Sequence, residues 1–114
     1  FRAMQLAAAT ALEAEADWYE GNNENYRNRR HFAGEIMKTL GCTYDEKQVG
    51  MFLWGKIPAS CKDVEELTEK VLHEARVFIT PGFIFGSNGA RYIRISLCCK
   101  DNKLAEALER IKRI

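Results

Sequence analysis

At 114 residues the chain has room for one domain with a modest core. Apolar residues make up 46% and charged residues 29%, the balance of an ordinary globular protein, and a formal charge of +1 leaves no cation excess for gripping a nucleic-acid backbone. No apolar run is long enough to span a bilayer and no secretory leader is recognisable, so the expectation is a cytoplasmic protein with neither membrane nor nucleic-acid partners.

Phe1-Arg2-Ala3-Met4 runs straight into helix-forming residues, which predicts a piece of a longer protein. Ala3 to Ala16 is rich in Ala, Leu and Glu and reads as helix. Gly21-Asn22-Asn23 predicts a break, with Asn22 or Asn23 capping a second helix. From Glu24 to Leu40 the pattern is clearer, since Tyr26, Ala33, Ile36, Met37 and Leu40 share one stripe, and Gly41 suits a helix C-terminus. Within this helix Arg27, Arg29, Arg30 and His31 read as a solvated face.

A polar connector from Cys42 leads into the apolar run Val49 to Pro58, a strand covered on both faces and stopped by proline. There Trp54 reads as core or interface packing rather than a stacking platform for substrate. Ser60 or Asp63 caps the next helix, with Glu65 and Glu66 in its first turn and Val64, Leu67, Val71, Leu72 and Ala75 on its buried stripe. His73 lies beside that stripe as a surface residue. Strands come next at Val77 to Thr80 and Tyr92 to Cys98, and Asp101 or Asn102 caps a last helix bearing Leu104, Ala105, Leu108 and Ile111.

In the last strand Tyr92, Arg94, Ser96 and Cys98 face one way and Ile93, Ile95, Leu97 and Cys99 the other. Alternation alone is satisfied by a sheet-edge arginine paired with a surface acid. It is equally satisfied by an arginine whose planar fork of donors grips a carboxylate or phosphate. Cys42, Cys61, Cys98 and Cys99 show no zinc-like spacing and are read as reduced thiols filling the core. The element order predicts an α+β fold: a small, mostly antiparallel three-stranded sheet with helices packed on one face.

The run Val77-Phe78-Ile79-Thr80-Pro81-Gly82, then Phe85-Gly86, Gly89 and Tyr92-Ile93-Arg94-Ile95-Ser96-Leu97, resembles the C-terminal signature of class I/II pyridoxal-phosphate-dependent aminotransferases. Tyr26 to Arg30 resembles the same family's Tyr-x-x-Arg-Arg element, and the Gly50 to Trp54 run its Gly-x-Phe-aromatic strand. The resemblance implies that Arg94 holds the substrate α-carboxylate and that Pro81, Gly82, Phe85 and Gly86 belong to an active-site loop. It implies that residues 1–114 are the small domain at the C-terminus of a longer enzyme, residues 1–41 being the interdomain helical region and 42–114 the strand-helix-strand-strand-helix part. The cofactor would be pyridoxal phosphate, but no lysine here has the family's Schiff-base context, so this segment alone is expected to be inactive. Amino-acid and 2-oxo-acid substrates, the protein's own large domain and a second copy in a homodimer are the implied partners. Two alternatives stay open: a related pyridoxal-phosphate lyase or synthase, and a non-catalytic, ligand-sensing domain of a transcription regulator.

Overall fold

The computed structural model describes residues 1–114 and is elongated, 49 × 30 × 24 Å. Helix α1 spans Arg2–Leu12 and α2 spans Ala16–Thr39. The expected break at Gly21-Asn22-Asn23 is not there; all three lie inside α2, and the chain turns instead at 13–15, where Glu15 is extended. An exposed helical glycine costs only about 1 kcal/mol relative to alanine, too little to end a helix that is anchored further along. The turn has its own support, because the Tyr19 hydroxyl donates to the carbonyl of Ala11 at the open end of α1. No residue of α1 is buried. The second half of α2 carries Ala33, Ile36 and Met37 into the core, and Gly41 comes after it at φ 69°, the left-handed turn expected there.

Strand β1 spans Phe52–Lys56, shorter than the predicted run. Gly50, at φ 86°, turns the chain, so Val49 and Met51 are exposed rather than part of a doubly covered strand. Leu53 and Gly55 are buried, whereas Phe52 and Trp54 are only half-buried on the opposite face. Helix α3, Val64–Lys70, is capped by Asp63, whose carboxylate accepts from the Glu66 amide at 2.9 Å, while Glu66 accepts from the Lys62 amide at 2.8 Å. A π-helical turn then covers Val71–Ala75 and ends on Arg76 at φ 57°. The wider turn shifts the phase of the stripe, leaving Leu72 half-buried while Val71 and Ala75 stay inside. His73 is exposed and bonded to Glu69 at 3.0 Å.

The predicted strand at Val77 to Thr80 is reduced to β2, Thr80–Pro81. Only there does the chain reach its partner; Phe78 is exposed. Strand β3, Tyr92–Ser96, is the middle strand of an antiparallel sheet in the order β1-β3-β2. Register places Leu53 opposite Ile95 and Gly55 opposite Ile93, one apolar face that packs on the helices. The other face carries Phe52 opposite Ser96, Trp54 opposite Arg94 and Lys56 opposite Tyr92. Helix α4, Asp101–Ile111, buries Leu104, Leu108 and Ile111. Its N-cap is Lys100, without a side-chain cap bond. Asp101 is drawn off to Arg29 instead, whose Nε donates to it at 3.0 Å and whose Nη1 donates to the Leu97 carbonyl at 3.2 Å. Arg29 and Arg30 are therefore half-buried ties between α2 and the sheet, not a solvated face; Arg30 donates to the Gly50 carbonyl at 2.6 Å.

The cysteines divide. Cys42 is buried as expected, but β3 ends before Cys98 and Cys99, which are exposed rather than core fillers. Burial, with a smaller contribution from Cys61, pushes the Cys42 thiol up to about 11. At pH 7.5 its thiolate fraction is about a hundredfold below that of an ordinary cysteine, and the thiolate is the reactive form. In timed alkylation read by mass spectrometry, Cys98 and Cys99 should be modified first and Cys42 last; early labelling of Cys42 would contradict its burial.

Candidate functional site

Half-buried arginines in this chain separate into two kinds. Arg91 is fully employed: it donates to the carbonyls of Cys61 at 3.0 Å, Lys62 at 2.7 Å and Pro58 at 2.8 Å, pinning the loop before α3. Arg29 and Arg30 likewise tie backbone to backbone. Arg94 does none of this. Its Nε is buried with no partner, and none of its donors reaches a carboxylate or carbonyl of the chain. The reading of a strand arginine paired with a surface acid is thereby excluded.

What holds Arg94 is aromatic. Its guanidinium carbon lies 4.1 Å from the ring centre of Phe52 and 4.1 Å from that of Phe85, with Trp54 at 6.0 Å. Trp54 in turn meets Phe85 edge-on, centroids 5.4 Å apart. A cation near aromatic rings is attracted by their quadrupoles. Rings that cover the flat faces of a guanidinium leave its N–H edge as the usable surface. That edge is where a carboxylate makes two parallel bonds. Phe52 comes from β1, Arg94 from the middle strand and Phe85 from the loop, so three separate segments meet at one cation.

The loop is built to deliver Phe85. Pro81 pairs with Ile93, and two 3₁₀ turns come next, Gly82–Phe85 and Ser87–Gly89. Between them Gly86 sits at φ 119° and ψ 171°, a conformation essentially reserved for glycine. Gly82 and Gly89 touch backbone to backbone, so that a Cβ on Gly82 would stand 2.5 Å from the Gly89 carbonyl oxygen and 2.6 Å from that of Tyr92. Trp54, Phe85, Asn88, Gly89 and Tyr92 line an open depression of about 370 Å³ beside the rings. All four loop positions singled out in the sequence thus take part in this geometry, and the structure brings Phe85 and Arg94 together. Phe52 was missed as a partner of Arg94. Period-two alternation through Phe52 and Trp54 was the available signal, masked by the apolar residues between and around them.

No residue here fits an anchor for an aldehyde cofactor. Every lysine is exposed, and Lys38, Lys103 and Lys112 are already paired with Glu35, Glu106 and Glu109 at 3.1, 3.0 and 3.0 Å. A Schiff-base lysine needs the opposite setting, a desolvated pocket that releases its proton. His73 is engaged with Glu69, and His31 lies against Phe32 with ring centres 5.9 Å apart, so neither histidine joins Arg94 in an acid–base pair. The site is a carboxylate-sized cation in an aromatic frame.

Comparison with known proteins agrees with this picture. The sequence profile of aminotransferase class I and II matches residues 1–111. The chain is 35% identical over 112 residues to an LL-diaminopimelate aminotransferase of Desulforudis audaxviator, covering 98% of this chain and 28% of that protein. It is 32% identical to transaminase BacF of Bacillus subtilis, covering 100% of this chain and 29% of the relative. The substrate-bound structure of BacF superposes with a TM-score of 0.75 at 32% identity, over 99% of this chain and 29% of that one. An aromatic aminotransferase from Pyrococcus horikoshii superposes with a TM-score of 0.79 at 32% identity, over 96% and 30% of the two chains. The chain thus spans less than a third of the length of these relatives, and within that span both its sequence and its α+β fold are theirs. The chain belongs to the class I and II aminotransferase family.

Proposed function

We propose that this chain is the substrate-carboxylate-binding small domain of an aminotransferase, which moves an amino group between an amino acid and a 2-oxo acid with pyridoxal phosphate. Residues 1–41 form its helical connection to the large domain and residues 42–114 its substrate-binding part. One observation carries the reading: Arg94, on the middle strand, keeps its donor edge unpartnered while two rings hold its faces.

Both substrates of a transamination carry a carboxylate next to the reacting carbon, so one fixed guanidinium serves both half-reactions. Arg94 would bind and orient, and the loop from Pro81 to Gly89 would supply Phe85 and restrict water around the ion pair. The cofactor's anchoring lysine is not among these residues, and the proton transfers belong to groups outside them. In the full-length protein loaded with pyridoxal phosphate, a ¹⁵N-labelled amino acid and a 2-oxo acid should exchange label. The decarboxylated amine of the same side chain should be a poor donor. Efficient turnover of the amine would remove the role assigned to Arg94, and absence of transfer with a broad set of amino acids would overturn the aminotransferase reading.

A further inference from the structure

Gln48 lies in the connector ahead of β1 and makes two hydrogen bonds to one residue. Its Nε2 donates to the Trp54 carbonyl at 2.8 Å, and its Oε1 accepts from the Trp54 amide at 2.9 Å. The side-chain amide thus does what a neighbouring strand would do, closing both backbone groups on the outer edge of β1. Two residues further on, Thr43 closes the next pair, its amide donating to Lys56 at 2.9 Å and its carbonyl accepting at 2.7 Å.

The place matters because Trp54 stands directly opposite Arg94. Since the Trp54 amide and carbonyl both point outward to Gln48, Trp54 and Arg94 form a pair not hydrogen-bonded to each other, the kind whose Cα atoms approach to about 4.5 Å and whose side chains are closest. The Trp54 indole then meets Phe85 edge-on, and Phe85 covers the Arg94 guanidinium. Contact is therefore continuous from the Gln48 amide to the Arg94 cation: amide, Trp54 backbone, indole, Phe85 ring, guanidinium.

We propose that Gln48 is a positioning residue for substrate-carboxylate binding, acting by clamping Trp54 so that Phe85 and Arg94 hold the guanidinium edge in its binding orientation. The inference rests on the carboxylate role of Arg94 proposed above. A glutamine amide suits the task because it presents one donor and one acceptor side by side, matched to one residue's carbonyl and amide. Methionine would fill the same space with neither bond. Glutamate would keep the acceptor and, when ionised, set an oxygen against the Trp54 carbonyl.

The test is a double-mutant cycle in the full-length, cofactor-loaded protein, reading KM and kcat for an amino-acid substrate. Gln48→Met should raise KM about five- to tenfold, the scale of one to two lost neutral hydrogen bonds, with kcat within about twofold. In an Arg94→Ala background the same substitution should change KM less than twofold, because the group it positions is gone. Gln48→Glu should show the same pattern, which covers the case in which the methionine variant folds poorly. An equal KM increase in both backgrounds, or none in the wild-type background, would overturn the proposal. Arg94→Ala with an unchanged KM would instead overturn the carboxylate reading on which it stands.

Discussion

Arg94→Ala in the full-length protein is expected to raise KM for the amino-acid substrate by about 100-fold or more while leaving kcat far less affected. Hydrogen bonds to charged groups are each worth about 1.5–3 kcal/mol, and a bidentate carboxylate contact loses two of them. The contact is made in the ground state as well as the transition state, so its loss falls on binding. Removing the cation also empties the space between Phe52 and Phe85, and the loop then loses the partner on which its aromatic residue rests. Arg94→Lys keeps the charge but not the fork and should recover about a tenth of the lost affinity at most. Steady-state kinetics with substrate titrated well beyond the wild-type KM decides the matter. A KM within threefold of wild type would show that Arg94 carries no substrate carboxylate.

The second large effect is expected from Gly82→Ala. The added methyl would stand 2.5 and 2.6 Å from two backbone oxygens, those of Gly89 and Tyr92, and neither atom can swing aside as a side chain would. Overpacking of this kind costs about 1–3 kcal/mol. Relief would require parting the two 3₁₀ turns, which carries Phe85 away from Arg94. Urea unfolding should show a lower midpoint, and substrate affinity should fall with it. Gly55→Ala provides the contrast: its Cβ would meet the Met37 sulfur at 2.5 Å, the mobile end of a flexible side chain that can repack. Equal destabilisation by the two substitutions would mean that the Gly82–Gly89 contact is not a fixed one.

How much of this was legible depended on what kind of interaction made each element. Helix α4 and the second half of α2 could be read because Leu104, Leu108 and Ile111, and Ala33, Ile36 and Met37, are buried by a periodic stripe. The middle strand could be read for the same reason, through Ile93 and Ile95. Elements shaped by non-local hydrogen bonds could not. The turn at 13–15 has no glycine or proline, and is supported by a tyrosine hydroxyl reaching back to Ala11. The π turn at Val71–Ala75 leaves no mark in a run of good helix formers. Arg29 and Arg30 looked solvated because their acceptors, Asp101, Leu97 and Gly50, lie 20 to 72 positions away. Within the site, Arg94 and the loop glycines were visible as a motif, whereas Phe52 was hidden in an apolar run and Gln48 in a polar one.

The brevity of β2 and the side-chain closure of β1 together bear on how copies of this sheet meet one another. A strand edge with free amides and carbonyls is a template for adding another chain's strand, and it is a recurrent origin of aggregation. On one side of this sheet Gln48 and Thr43 already occupy the outward groups of Trp54 and Lys56. On the other, the edge strand is two residues long and ends in Pro81, which has no amide to offer. Neither margin offers a run long enough to recruit a foreign strand. Self-association through a shared sheet is therefore disfavoured, even at the concentrations reached in overexpression, and contacts between copies are left to side-chain surfaces.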